Sequence, residues 1–133
     1  MSPCEVLQTV MDQYLAAYEA HDSVACADFY TENGVIISPF GPPCVGRPAI
    51  EAEHSAWFED GETNKTLTVL QASISGSTGF CLVSYSADVP SDAGVKRVYG
   101  ASLNALEKDA AGTWLLRHTS LNELEHDLMQ DLI

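Results

Sequence analysis

Basic residues are scarce. Six Lys and Arg stand against nineteen Asp and Glu in 133 residues, a formal net charge of -13. A surface of that sign repels phosphate backbones and anionic lipid, which excludes nucleic acid and membrane surfaces as natural partners. No apolar run approaches the roughly 20 residues of a membrane span. The start, Met1-Ser2-Pro3-Cys4-Glu5, lacks the basic residues and apolar run of a secretory signal, so the expected location is the cytoplasm. Cysteine pairs at CxxC spacing are missing as well. Cys4, Cys26, Cys44 and Cys81 lie at least eighteen residues apart, which speaks against a zinc ribbon or redox dithiol and for reduced, buried thiols. Neither GxGxxG nor a Walker sequence occurs, so no cofactor is expected. Histidines are dispersed too, and Glu123 with His126 is a weak metal spacing without a second partner, so no metal is expected.

What is present is material for one core. The composition is 46% hydrophobic and 19% charged, enough to pack 133 residues as a single domain spanning residues 1–133. Ser2 with Glu5 three residues on reads as a capping box, with Pro3 at the first helical position. Leu7, Val10, Met11, Tyr14 and Tyr18 then fall on one stripe of a helix over residues 3–20. Asp22 and Ser23 cap a short second helix from Val24 to Tyr30. Thr31-Glu32-Asn33-Gly34 reads as a turn, Val35–Ser38 as a short buried strand, and Pro39, Gly41, Pro42 and Pro43 as a loop. Pro48 opens a third helix that carries Ile50, His54, Trp57 and Phe58 on one face and ends at Gly61.

Beyond Gly61 the period changes to two. Thr66–Ser75, Phe80–Val89, Lys96–Glu107 and Thr113–Asn122 read as four long strands, joined by short turns that force neighbours antiparallel. Leu121, Leu124, Leu128 and Leu132 suggest a final amphipathic helix. The fold class is therefore α+β, with helices on one face of an antiparallel sheet. The last strand is apolar on both sides, Trp114 and Leu116 one way, Leu115 and Leu121 the other. A homodimer through the outer sheet face is the simplest explanation.

Three stretches carry a family resemblance: Tyr14-Leu15-Ala16-Ala17-Tyr18 to Asp22, Phe29-Tyr30-Thr31-Glu32-Asn33-Gly34-Val35, and Gly46-Arg47-Pro48-Ala49-Ile50. With the closing strand Gly112-Thr113-Trp114-Leu115-Leu116-Arg117-His118-Thr119-Ser120, the pattern over residues 6–122 resembles the nuclear transport factor 2-like superfamily. That group includes ketosteroid isomerases and SnoaL-like polyketide cyclases. The resemblance implies a cone: a curved sheet of one short and four long strands wrapped around three helices, plus a short C-terminal helix, with an apolar pocket at the open end. It leaves function open, because isomerases, dehydratases, cyclases and non-catalytic binders share this fold.

Against the ketosteroid isomerase pattern, Ser38 stands where the aspartate base would precede Pro39. Leu103, flanked by Ser102 and Asn104, stands where a protonated aspartate would be. Tyr14 matches the oxyanion-binding tyrosine, and Tyr30 and His54 fall where supporting tyrosines extend its hydrogen bonds. The expected catalytic residues are thus Tyr14, with His54 or His118 handling the proton. His118 is assigned by strict alternation to the strand face of Trp114, Leu116 and Ser120. Tyr30, Trp57, Phe58, Phe40, Ser38, Tyr99 and Asn104 are the expected substrate-binding residues. The implied work is isomerisation, cyclisation or dehydration of a small apolar carbonyl or polycyclic molecule; the alternative is a non-catalytic binding pocket or a dimeric protein-association module.

Overall fold

Ser2 caps the first helix as its spacing predicts. Its hydroxyl accepts from the Glu5 amide at 3.2 Å, and the Glu5 carboxylate accepts from the Ser2 amide at 3.3 Å. In the computed structural model, which describes residues 1–133, this helix is α1, Pro3–Glu19. It buries Leu7, Val10, Met11, Tyr14 and Tyr18 on one face, each large apolar side chain contributing about 2 kcal/mol. Asp22 accepts from the Ala25 amide at 3.0 Å to start α2, Ser23–Asp28. Then follow β1 (Tyr30–Ser38), β2 (Gly41–Val45), α3 (Arg47–Glu59), β3 (Thr63–Ser75), β4 (Thr78–Ser91), β5 (Gly94–Lys108), β6 (Trp114–Leu124) and α4 (His126–Met129).

The six strands form one sheet in the order β2-β1-β6-β5-β4-β3. Only the β1–β6 pair is parallel; the others are antiparallel. Helix α1 packs on β3, and α3 packs on α2, β1 and β2, so the helices gather on one face of the sheet. The architecture is α+β, a curved sheet enclosing its helices. No helix is long and apolar enough to cross a membrane.

Gln8 ties α1 to the sheet at an irregular point. Its side chain accepts from the Val69 amide at 2.8 Å and donates to the Leu67 carbonyl at 3.1 Å, beside the register shift between Val69 and Gln71. A bulge leaves backbone groups unpaired, and the Gln8 amide supplies both partners. Gly100 serves a different need. A Cβ there would lie 2.2 Å from the Tyr85 ring and 2.4 Å from the Asn122 carbonyl oxygen, so only glycine lets Tyr85 cross β5 to donate to that carbonyl at 3.2 Å.

Four local expectations need correction. The Pro- and Gly-rich segment predicted as a loop contains β2, an edge strand pairing Cys44 with Ile36 and Val45 with Val35. Proline is compatible with an edge, where one row of N–H groups has no partner strand. The predicted turn at Thr31–Gly34 is absorbed into β1 as a register shift between Tyr30 and Val35. The tail helix shrinks to four residues because β6 runs on to Leu124, pairing with Tyr99. Finally, β6 does not alternate strictly. Leu116 pairs with Leu106 and His118 with Ala105, so Arg117 is an extra residue opposite nothing. That bulge reverses which side chains face inward. Leu121 therefore lies on the inner side with Leu116, not on the opposite side.

Candidate functional site

Between the helices and the concave side of the sheet lies a cavity of about 380 Å3. Its wall is apolar, built from Met11, Ile36, Trp57, Leu67, Val98 and Leu121 among others. Five strands and two helices converge on it, and the polar side chains they bring form a floor and a mouth.

The floor has two hydrogen-bonded chains. In the first, His54 Nδ1 lies 2.8 Å from the Ile50 carbonyl oxygen one helical turn earlier. A carbonyl only accepts, so Nδ1 carries the ring hydrogen and Nε2 of the neutral ring is a lone pair. The Tyr14 hydroxyl, 2.5 Å from Nε2, therefore donates to His54. Burial, the largest cause, holds His54 neutral by lowering its pKa to about 4. Burial likewise raises the Tyr14 phenol well above its ordinary range, with the neighbouring Tyr30 adding to the effect.

The second chain starts at Tyr30, whose backbone carbonyl is held by the Arg47 guanidinium at 2.9 Å. Its hydroxyl lies 2.8 Å from Thr119 Oγ1, and Thr119 donates to Asn104 Oδ1 at 2.9 Å. Thr119 has one hydrogen and it goes to Asn104, so Tyr30 is the donor to Thr119. The Asn104 amide donates to Ser102 Oγ at 2.9 Å and to the Ser102 carbonyl at 3.4 Å. Every buried side-chain nitrogen and oxygen has a partner. The Ser102 hydroxyl hydrogen ends the chain with no protein acceptor.

The mouth is charged. Glu62 accepts from both Tyr18 and Lys65 at 2.9 Å, and the Lys65 ammonium sits 4.6 Å from the Tyr18 ring centre and 5.3 Å from that of Tyr85. Glu53, Asp60 and Glu123 complete the rim. The Cys44 thiol points to Glu53 at 3.3 Å and is pushed up to about 11 by burial first and then by that carboxylate.

Residues 11–112 match the family model described as the SnoaL-like domain. The chain belongs to the SnoaL-like family. Solved structures agree on the fold. A ketosteroid isomerase-like protein from Erwinia carotovora atroseptica superposes with a TM-score of 0.81 at 20% identity, covering 93% of this chain and 98% of that one. A protein of unknown function from Mycobacterium tuberculosis gives 0.79 at 20% identity over 90% and 74%. An NTF2-like protein with a cystatin-like fold from Novosphingobium aromaticivorans gives 0.72 at 17% over 98% and 88%. No curated protein sequence matches the chain.

Within this SnoaL-like cavity the structure brings together Tyr14, Tyr30, Trp57, Phe40 and Asn104, with His54 buried directly behind Tyr14. It separates the others. His118 is exposed on the outer face of the sheet beside Val35, Ile37 and Phe80, carried there by the Arg117 bulge. Ser38 accepts from the Phe40 amide at 3.2 Å and does not line the cavity. Phe58 packs edge-on against Tyr18 and stacks on His21, and Tyr99 stacks on His126 at 4.5 Å; neither reaches the cavity. Glu123 lines the mouth while His126 lies against Tyr99, so that spacing gathers no metal ligands. Leu103 points outward, and Ser102 and Asn104 point in. Thr119, Glu53, Glu62 and Lys65 are additional site residues. Thr119 is hidden in the sequence by the bulge. The polar residues Glu53 and Lys65 are ordinary surface types whose place emerges only from the fold.

Proposed function

We propose that the chain is an enzyme acting on a small, ring-sized apolar molecule by isomerisation, cyclisation or dehydration, with the substrate's polar group resting on Tyr14 and Tyr30. The observation that carries this reading is the combination of a 380 Å3 apolar cavity with a floor of neutral, mutually satisfied hydroxyl and amide groups. Cavities of this size and lining bury most of a bicyclic ligand. At Tyr14 the arrangement suits proton transfer: the phenol oxygen takes a substrate proton as its own hydrogen passes to His54 Nε2. His54 is neutral near pH 7, and because burial disfavours its protonated form, the relayed proton is driven back to the substrate rather than retained.

The test is exchange and turnover. Cyclic β-hydroxy ketones and β,γ-unsaturated ketones incubated with the protein in deuterium oxide are followed by proton NMR at the carbon next to the carbonyl. Exchange or product formation that falls by about a hundredfold in Tyr14→Phe supports the enzyme reading. Binding without exchange or product for every ketone rejects it in favour of the second reading, a non-catalytic binding pocket. The observation on that side is Ser38, which brings no carboxylate to the place where the ketosteroid isomerase pattern has its base and lies outside the cavity.

A homodimer through the outer sheet face belongs to the same proposal. Ile37, Phe80 and Leu103 are exposed there in one apolar strip, and sedimentation velocity of the chain and of Leu103→Glu tests it: a dimer dissociated by the added charge is expected, and a wild-type monomer refutes it.

A further inference from the structure

We propose that the cavity selects ligands that donate hydrogen bonds, alcohols or protonated amines on a ring-sized apolar body, and rejects anions. This rests on the cavity being the working site, as in the reading above, and it adds the polarity of what enters.

The floor decides it through the direction of its hydrogens. Tyr14 sends its hydrogen to His54, whose other nitrogen is fixed as a donor by the Ile50 carbonyl. Tyr30 sends its hydrogen to Thr119, which passes the direction on to Asn104. Both phenols therefore turn lone pairs toward the cavity. Within the floor only the Ser102 hydroxyl has a hydrogen left to give. A carboxylate entering this floor from water exchanges a full hydration shell for one neutral donor and faces two phenolic oxygens. A buried charge left in that condition is strongly disfavoured. An alcohol or ammonium meets the opposite situation: its hydrogens find two acceptors, and an alcohol oxygen also accepts from Ser102.

The mouth reinforces the floor without being needed for it. Its single cation, Lys65, is engaged by Glu62 and by the faces of Tyr18 and Tyr85, leaving no ammonium to receive an anion. The same geometry shows an alkylammonium accommodated there, with its side chain only 14% exposed. Glu53 on the rim has only the Cys44 thiol as partner, and it is the carboxylate best placed to meet an amine.

Three probes of one shape test this by calorimetry at pH 7.5: 2-naphthylmethanol, 2-naphthylmethylamine and 2-naphthoate. The alcohol and the amine are expected to bind at least about tenfold more tightly than the carboxylate, the affinity ratio that corresponds to 1.4 kcal/mol. Tighter binding of the amine than the alcohol, reduced in Glu53→Gln, assigns the preference to the rim carboxylate; parity of the two assigns it to the phenols. Naphthoate binding as well as the alcohol overturns the selectivity and leaves the cavity as a binding site. Failure of all three overturns the selectivity and the cavity reading together. Exchange of neutral ketones with Tyr14 relaying the proton to His54 remains a separate measurement, so the two proposals fail by different results.

Discussion

The floor of the cavity and its mouth are both polar, yet they are built on opposite rules. The floor is neutral and sealed: His54 is 0% exposed, and Tyr14, Tyr30, Ser102, Asn104 and Thr119 are all buried. Within each of its two chains, every group is joined to the next by a directed hydrogen bond. The mouth is charged and wetter, with Glu62 and Lys65 paired and Glu53, Asp60 and Glu123 around them. In a low-dielectric interior an unpaired polar group costs far more than a completed bond gains, so a buried network has to close on itself. Near water, screening relaxes that demand and charges can stay loosely partnered. The floor thus fixes the direction of hydrogens, and the mouth sets the sign of the field.

The largest effect expected is from placing a charge in the floor. Asn104→Asp removes both donors to Ser102 and puts a carboxylate where the side chain is 3% exposed. A loss of about 3 kcal/mol at pH 7 is expected from burying an ion whose only donors are the neutral hydroxyls of Thr119 and Ser102. Burial raises the pKa of such an acid, so the folded state binds more protons than the unfolded one above pH 4, and stability returns as pH falls. Urea unfolding of the variant at pH 5 and pH 8 checks this. Equal stability at both, close to wild type, breaks the contrast between a sealed floor and a tolerant mouth.

His54 gives the opposite sign. Its folded-state pKa of about 4 lies below the ordinary histidine value of 6.5, so the folded state holds fewer protons between those limits. Stability is full above pH 6.5 and is lost as pH falls toward 4, by up to roughly 3 kcal/mol at about 1.4 kcal/mol per unit. His54→Leu removes the acceptor for Tyr14 and leaves a buried phenol unpaired, a cost of about 2 kcal/mol at pH 7.5. It also flattens the acid limb of the stability curve. An acid limb unchanged in His54→Leu assigns that limb to other groups.

Much of this was readable in the chain, and what was not has identifiable causes. Caps and apolar stripes announce α1 and α3, which is why Tyr14 and His54 could be picked out together. Their partnership joins residues forty apart in the chain, which spacing suggests only through the family likeness. The sheet side was less legible. Strict alternation puts His118 with Leu116, but one extra residue at Arg117 sends His118 outward and brings Thr119 into the floor. A bulge has no composition of its own, so the swap could not be read. Strand β2 was obscured because its Gly41-Pro42-Pro43 carries turn chemistry while an edge tolerates it. Phe58 and Tyr99 share a lesson: aromatic residues near a pocket in sequence pack on His21 and His126 instead.

The two chains of the floor share no hydrogen bond, which makes their independence measurable. Tyr14→Phe and Tyr30→Phe are each expected to lose about 1 kcal/mol. The double variant is expected to lose the sum within about 0.5 kcal/mol, as for sites without common partners. A larger coupling, read from urea unfolding of the four proteins, would mean that the chains communicate through the cavity and that the floor acts as one network.

The smallest effect belongs to the mouth. Lys65→Met deletes an ion pair whose side chains are 14% and 18% exposed and two contacts with aromatic faces, while Tyr18 still donates to Glu62. Partial exposure lets water take over much of the lost attraction, and the methionine stem keeps the packing. A cost of no more than about 1 kcal/mol is expected, shrinking in 1 M salt, which reduces the Debye length to about 3 Å. A double-mutant cycle with Glu62→Gln, run at low and high salt, isolates the pair. Coupling that fades with salt confirms a screened mouth over a sealed floor. Coupling that persists undiminished places Glu62 and Lys65 in the same low-dielectric interior as His54, and the boundary between the two regions moves outward to the rim.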